Sequence, residues 1–452
     1  MSNLAKGAVM ELKKGDLLAE GKTKKIWSVI GDDGAVIVEQ KDDITAFDDP
    51  SFTKKFGSKG RCANLTTCRV FEMLKAAGIP VAYLEQISPT EFMAEKSDMI
   101  PLEVVGRRYA YGSYLKRHPQ LAVNEGLPPV RFHRLVVEFF LKTSDGKLVD
   151  KFGETVVEGL DPKKGEEDPL IEEPNSETWD LYHPKKPNWV SEAYLCKSID
   201  NQMSGYGGMK GIKTMEDTIR KVFLVLEAAW AQLGCRFIDF KIEFGINLKG
   251  EIVVADVIDN DSWRLRDADW NELSKEAFRQ GENLAVVEEK YGLVASLVER
   301  FRVPRQALVL WRGSSSDSLP ISPELQAELS RLGLSILDEV LSGHKKTRRC
   351  LDRLEEILTQ YPDGGAILPD VGRSNGLGPI LASHTSWPVV TIPATLKEFP
   401  PDIWSSVRMA SDVPMATVWP DSNAILFAVN ILAAKNPLLY MWRQIKIEEL
   451  DK

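Results

Sequence analysis

The chain has 452 residues, 43% of them hydrophobic and 27% charged, an ordinary globular composition spread over too many residues for one core. Its formal net charge of −9 argues against a protein that coats nucleic acid or an anionic membrane through bulk electrostatics. No apolar run reaches the roughly 18 residues of a membrane helix, and the opening residues, with Lys6, Glu11, Lys13 and Lys14, lack the apolar core of a signal peptide. The cysteines (Cys62, Cys68, Cys196, Cys235 and Cys350) are scattered and form no CxxC pair. That excludes a disulfide framework or a cysteine zinc site as the organising feature and implies a reduced, cytoplasmic setting.

In chain order, residues 25–30 and 35–40 are β-prone runs around Gly31-Asp-Asp-Gly34 and predict a hairpin. A helix is expected near 60–77, stopped by Gly78-Ile-Pro80. The stretch 143–190, rich in Lys, Asp, Glu and Pro, reads as a long surface insertion. Gly205-Tyr-Gly-Gly-Met-Lys-Gly211 lacks the spacing of a phosphate loop and reads as a flexible turn. It precedes a helix at 214–233, with Thr214-x-x-Asp217 as its capping box and one face made by Ile219, Val222, Phe223, Leu226, Trp230 and Leu233. Strands at 236–242 and 251–258 follow, then a polar helix at 276–301.

Val303-Pro304-Arg305 separates this region from a new strand at 307–311. Beyond it come a helix at 322–332, a strand at 334–339, a helix at 345–360 and an apolar run at 365–369, the rhythm of a parallel sheet. Two domains are therefore expected, 1–302 and 303–452.

Four clusters in the first domain carry chemistry. Glu20-Gly-Lys22-Thr-Lys24 offers backbone and cations to a phosphate, although lysines beside glycine also make solvated turns. Glu103 to Arg117 sets Arg107, Arg108, Lys116 and Arg117 around Gly112-Ser113, which suits a phosphate or carboxylate, or else makes a charged helix face, although that face would not require the Gly-Ser. In Asp239-Phe-Lys241-Ile-Glu243 the period of a strand places three charges on one face and apolar side chains on the other, the wall of a charged cleft. Asp256-Val-Ile-Asp259-Asn-Asp261 at the next strand end adds carboxylates of the kind magnesium uses, or else forms a solvated acidic loop.

In the second domain, Gly313-Ser314-Ser-Ser316-Asp317 follows an apolar strand, where an anion nest is expected. Ser342-Gly-His344-Lys345 exposes a histidine at a strand end, a candidate acid/base or else an idle surface histidine. Gly372-Arg373-Ser374-Asn375-Gly-Leu-Gly-Pro379 is a third polar loop, and it does not match the dinucleotide fingerprint, so NAD is not read here.

Over residues 12–300 these clusters, with Asp43-Ile-Thr-Ala46 and Lys59-Gly60, resemble the SAICAR synthetase family of purine biosynthesis. Over about 306–445 the three loops, with Trp404-Ser-Ser-Val-Arg408, resemble the animal-type aminoimidazole ribonucleotide carboxylase domain. The resemblance implies an ATP-grasp-like, kinase-like α+β domain and a three-layer α/β sandwich with a parallel sheet that assembles as an octamer. It implies ATP and Mg2+, with no biotin, and imidazole ribonucleotides, L-aspartate and carbon dioxide as small-molecule partners.

By the same resemblance, Lys22, Lys24 and Lys241 hold the nucleotide, Met99 and Glu103 line its base, and Glu243 with Asp256 binds the metal. Lys59, Arg107, Ser113 and Arg264 grip the ribonucleotide, and Lys241 and Arg264 serve catalysis. Ser314, Ser316 and Asp317 bind the second domain's ribonucleotide, His344 moves a proton, and Lys345 with Gly372, Arg373, Ser374 and Asn375 shapes the carbon dioxide pocket. Five departures from the family pattern stand out: Lys142 and Asp168-Pro169 are split by the insertion, Arg266 replaces a frequent tryptophan, Trp311-Arg312 and Thr347-Arg348 flank the second site, and His384 replaces a usually smaller polar residue. A silent, oligomerising second domain remains the alternative, as does an amide ligase acting on a related carboxylate.

Overall fold

The computed structural model describes residues 13–45, 53–124, 126–144, 146–149, 154–164, 166–200, 208–315 and 319–450. Ser316 and Asp317 lie outside these residues, as does the 201–207 part of the glycine-rich turn. The chain divides into two compact units: Met1–Lys75, Ile79–Phe223 and Leu233–Phe301 form the first, and Ala76–Gly78, Leu224–Gln232 and Arg302–Lys452 the second.

The first unit holds two large antiparallel sheets. One has five strands in the order Lys14–Glu20, Lys24–Val29, Asp32–Gln40, Glu91–Glu95, Tyr83–Ser88. Its hairpin is the predicted one, with Ile26 opposite Val38 across a turn at Gly31. The helix Lys59–Ala76 also lies where it was expected, and its Phe71 ring stacks on Tyr83 at 5.6 Å.

The second sheet has eight strands and is centred on Ser97–Tyr109 and Arg236–Asn247. Their register sets Asp239 opposite Arg107, Lys241 opposite Val105 and Glu243 opposite Glu103. Because side chains alternate along a strand, this register gathers both strands' charges on one face. On the other face Phe240, Ile242 and Phe244 are almost fully buried, and Phe240 packs edge-on to Phe223 at 5.7 Å.

Several expectations need revision. The long helix runs Gly208–Ala231, so it begins before Thr214. Thr214 is no cap: its hydroxyl donates to the Lys210 carbonyl at 2.9 Å, and Lys213 pairs with Asp217 along the helix surface. The turn reading of Gly208–Gly211 gives way to helix for the same reason. The polar helix is two pieces, Glu276–Arg279 and Leu284–Val298, interrupted around Gly281.

The stretch 143–190 is more than a surface excursion. Leu170–Ile171, Thr178–Tyr182 and Tyr194–Asp200 extend the eight-stranded sheet, starting from Phe139–Phe140. Trp179 and Leu181 are buried while Asp180 between them is not, the alternation of a half-covered strand that charged neighbours obscure in the sequence. At its base the insertion closes on itself: Leu141 N–H donates to the Pro169 carbonyl at 3.0 Å, and Thr143 N–H to Asp168 Oδ1 at 2.8 Å. Lys142 and Asp168, far apart in sequence, are thus brought back together.

The second unit carries a parallel five-stranded sheet in the order Ser335–Val340, Ala307–Arg312, Gly365–Val371, Val390–Pro393, Ala416–Thr417. Helices Pro323–Arg331, Thr347–Gln360, Leu377–Ala382, Asp421–Ala433 and Pro437–Leu450 accompany it. Ser322 caps the first of them by accepting from Leu325 N–H at 3.2 Å, with Pro323 in the first turn. Arg312 is level with both Val340 and Asp370, so three strands end side by side and their polar loops emerge together.

Candidate active sites

A cleft of about 660 Å³ opens in the first unit. Val36, Val38, Phe92, Ala94 and Met99 give it an apolar part, and Lys22, Lys24, Lys142, Lys241, Glu243 and Asp256 a charged one. Asp256 adopts φ 64, a left-handed conformation that aspartate tolerates because its carboxylate can take a local backbone donor, here Val257 N–H at 2.7 Å. Lys24 reaches the Asp256 carboxylate, and Lys142 meets Glu243 at 2.8 Å. Burial pushes the Lys24 ammonium down to about 8; Glu243 opposes the shift and Lys142 adds to it. Burial also works to raise Glu243, but Lys142 and Lys241 outweigh it and hold the carboxyl below its usual range.

A second cavity of about 450 Å³ adjoins the first, and Lys241, Asp261, Ser262, Lys275 and Arg279 line both. Its floor is a buried ion cluster. Arg107 donates to Glu138 at 2.6 Å, to Asp239 at 2.6 Å and to Ser113 Oγ at 3.2 Å. Asp239 also accepts from Arg264 at 2.8 Å, and Arg117 reaches the other oxygen of Glu138. Such a cluster fixes each guanidinium, because every buried charge already has its partner. Lys241 crosses to Glu103 at 2.6 Å. Asp168 stands on the same wall, its carboxyl pushed up to about 7 by burial, with Glu103 adding to the shift.

Lys22, Lys24, Met99, Lys241, Glu243 and Asp256 thus line the first cleft, and Glu103, Arg107, Ser113, Lys241 and Arg264 the second. Glu103 is absent from the first wall, beside the apolar part where a base was expected. Lys59 lines neither cavity. It is fully buried, with its ammonium 3.3 Å from Asp261 and 3.8 Å from Asp259, so its role is to position that acidic loop. Arg266 donates to Tyr111 Oη at 2.6 Å and pairs with Glu272.

Sequence reasoning missed Glu138, Ser262, Lys275 and Arg279. Glu138 left a signal: a lone carboxylate inside the apolar run Leu135–Leu141 requires a buried cationic partner. Glu243 lies within the strand Arg236–Asn247, opposite Ala255 of the paired strand Ile252–Ala255, and Asp256 follows that strand's last residue. No group of three or more metal-binding side chains occurs among the described residues. Two carboxylates, one of them held ionised, fit a hard cation that takes its remaining ligands from phosphates and water.

In the second unit, His344 sits over Gly376: a Cβ there would lie 2.3 Å from His344 Nε2. Gly343 likewise approaches the backbone of Leu377, where a Cβ would come within 2.8 Å. The histidine loop and the Gly372–Pro379 loop are therefore in contact, while His344 and Lys345 stay exposed. Ser374 adopts φ 67, and its N–H donates to Asp402 at 2.8 Å. Asn375 is committed inward, donating to Thr391 and Ser406 at 3.2 Å each and accepting from Gly378 N–H at 2.9 Å, so it shapes the loop rather than lining it. Arg373 lies over the Phe399 ring, and Ser314 is exposed just beyond the strand end.

A nucleotide-sized cleft joined to an arginine-rich pocket, and a second unit with polar loops at parallel strand ends, define a two-part enzyme of anionic small molecules. The SAICAR synthetase family model matches residues 17–156 and 198–295, and the AIR carboxylase family model matches 307–449. A Caenorhabditis elegans protein named probable multifunctional protein ADE2 is 34% identical over 94% of this chain and 92% of its own length. The human bifunctional phosphoribosylaminoimidazole carboxylase/phosphoribosylaminoimidazole succinocarboxamide synthetase is 30% identical over 97% of this chain and 95% of its own. A solved SAICAR synthetase (Type-2) in complex with ADP is 26% identical, covering 63% of this chain and 98% of its own at a TM-score of 0.45. The chain belongs to the bifunctional SAICAR synthetase/AIR carboxylase family of purine biosynthesis.

Proposed function

We propose that residues 303–452 carboxylate aminoimidazole ribonucleotide with carbon dioxide and that residues 1–302 use ATP to join the product to L-aspartate. The first unit takes an ATP-grasp-like, kinase-like architecture in this reading, and the second a three-layer α/β sandwich. The observation that carries the ligase assignment is the shared wall: Lys241, Ser262, Lys275 and Arg279 face both cavities, so a phosphoryl group and a carboxylate can meet there.

ATP lies in the first cleft, with its base among the apolar side chains near Met99 and its phosphates on Lys22, Lys24 and Lys241. The ribonucleotide lies in the second cavity, gripped by Arg107, Ser113 and Arg264. Magnesium would be held by Glu243 and Asp256, and when bound supplies charge neutralisation for the phosphates. A carboxylate oxygen of the ribonucleotide takes the terminal phosphoryl group and ADP departs. The aspartate amine then attacks the acyl carbon, an amide bond forms, and phosphate leaves with loss of a proton. Lys241, Lys275 and Arg264 stabilise the negative charge as it moves, because they are fixed before the reaction begins. Asp168, ionising near neutral pH on the same wall, is the group best suited to receive the amine proton.

In the second unit the ribonucleotide sits on Ser314, Ser316 and Asp317. The ring carbon bonds to carbon dioxide and loses its proton to His344, while Lys345 and Gly372–Ser374 enclose the new carboxylate on a loop that Asn375 shapes. No biotin or second nucleotide takes part. The exposed Trp404, Phe399 and Trp419 of this unit support a homo-oligomer, an octamer in this reading. A cytoplasmic location suits these substrates; no helix among the described residues is long and apolar enough to cross a membrane.

The test is an assay of the full chain with carboxylated ribonucleotide, ATP, magnesium and aspartate. ADP release dependent on both substrates is expected, and its absence would refute the ligase reading. Incorporation of labelled bicarbonate into aminoimidazole ribonucleotide without ATP tests the carboxylase in the same preparation.

A further inference from the structure

The insertion does more than widen the sheet. Its residues Lys164 and Lys185 line the second cavity together with Lys116 and Arg279. The SAICAR synthetase family model leaves out 157–197, so the family match does not account for either lysine. Lys185 is held in place from several sides. Arg117, already anchored on Glu138, donates to the Pro184 carbonyl just before it. Lys185 N–H donates to Nδ1 of buried His183 at 3.1 Å, and His183 Nε2 lies 3.4 Å from Glu166. The half-buried Lys185 ammonium itself donates to the Lys164 carbonyl, a neutral group.

Among the described residues neither Lys185 nor Lys116 has a carboxylate within ion-pair distance, whereas the guanidiniums deeper in the cavity are all paired. A rigidly seated ammonium beside other cations, facing a cavity, is an arrangement that an incoming anion completes. Burial and the nearby Lys116 lower the Lys185 pKa, with Glu166 opposing, which agrees with cations crowded around an anion's place.

We propose that Lys185, supported by Lys116, forms an anion subsite at the insertion's edge of the second cavity. It receives a phosphate or carboxylate of the ligase substrates and makes the insertion a specificity element of this chain. The inference rests on the ligase reading above, and it names Lys185 as a binding residue, with Arg117 and His183 as positioning residues.

The test compares wild type, Lys185→Met, Lys185→Arg and Lys116→Met in the full chain. Calorimetric titration with the carboxylated ribonucleotide in the absence of ATP reads the phosphate-bearing ligand, and the KM for aspartate reads the dicarboxylate. Lys185→Met should weaken one of the two by about tenfold, the worth of one half-exposed charge-assisted hydrogen bond. Lys116→Met should weaken the same ligand by less. Lys185→Arg should restore most of the loss, and the KM for ATP should not move. Whichever ligand weakens identifies the anion. Unchanged affinity for both in Lys185→Met, or equal weakening of ATP, overturns the subsite. A wild type that binds ribonucleotide but releases no ADP overturns the ligase reading alone, because the titration still reports on Lys185.

Discussion

Gly112 offers the sharpest test of how the arginine pocket is positioned. It adopts φ 59 and ψ −130, a conformation open to glycine and strained for any other residue. A Cβ at this position would lie 2.7 to 2.9 Å from the Arg264 guanidinium, closer than real contacts allow. Arg264 cannot retreat freely, because it holds both oxygens of Asp239 at 2.8 and 3.1 Å. Gly112→Ala therefore carries two penalties: backbone strain of about 1–3 kcal/mol, and loss or distortion of a charge-assisted contact worth about 1.5–3 kcal/mol. The first falls on stability. The second falls on ribonucleotide recognition, where it corresponds to roughly a ten- to hundredfold drop in kcat/KM. Gly250→Ala isolates the strain, since Gly250 has φ 78 and nothing within 4 Å of the built Cβ. The assay is ADP release at varied ribonucleotide and at varied ATP, together with denaturation midpoints for both variants. Equal stability losses with kcat/KM unchanged in Gly112→Ala would refute the claim that the glycine makes room for Arg264.

Three further outcomes follow from the geometry. His344→Ala should lower ATP-independent carboxylation by roughly a hundredfold or more, and Gly376→Ala should also lower it by pushing the imidazole off its seat; ADP release from pre-carboxylated substrate should be preserved in both, and its loss would count against separate sites. Asp168 titrates near 7 in the fold against an ordinary value of 3.8, so the native state keeps its proton to higher pH and stability falls as pH rises from about 4 to about 7, levelling off above. Asp168→Asn should remove that slope in urea midpoints measured across the range, and a constant difference from wild type would contradict the assignment. Lys59→Met should cost about 3 kcal/mol, the low end for breaking a buried ion pair, because Asp261 keeps Lys275 at 3.2 Å while Asp259 loses its cation; a change in denaturation midpoint below 1 kcal/mol would show that the acidic loop does not depend on it.

Legibility in the sequence followed the range of the interaction. The face of Asp239, Lys241 and Glu243 was readable because strand alternation is local, and the polar loops of the second unit were readable because they follow apolar strands. What those charges meet was not readable. Arg107 finds Glu138 and Asp239 through the registers of two strand pairings, and no spacing rule reports a register. The capping-box reading at Thr214 failed for a related reason: the motif was present, but the helix had already begun at Gly208. The insertion misled by composition, since most of its charged residues lie between short strands, and Asp180 is the one charge that alternates with buried Trp179 and Leu181.

The departures around the second site bear on whether that half retains a working pocket. Trp311 does not obstruct the loop after it. Its side chain is fully buried in the unit's core, with its indole N–H donating to the Leu341 carbonyl at 3.2 Å. Arg312 lies across the neighbouring parallel strand and donates to Asp338 at 3.0 and 2.6 Å, a bidentate pair. Both residues belong to the sheet, and the loop that follows begins at Gly313. Thr347 donates back to the Gly343 carbonyl at 2.5 Å, which braces the turn carrying His344, and Arg348 pairs with Asp352 on the exposed helix surface. The bulky and cationic replacements therefore lie beside the loops, not within them, and the close approaches at Gly343 and Gly376 that seat the histidine are intact. An inactive scaffold would have no need of an imidazole held against a second polar loop.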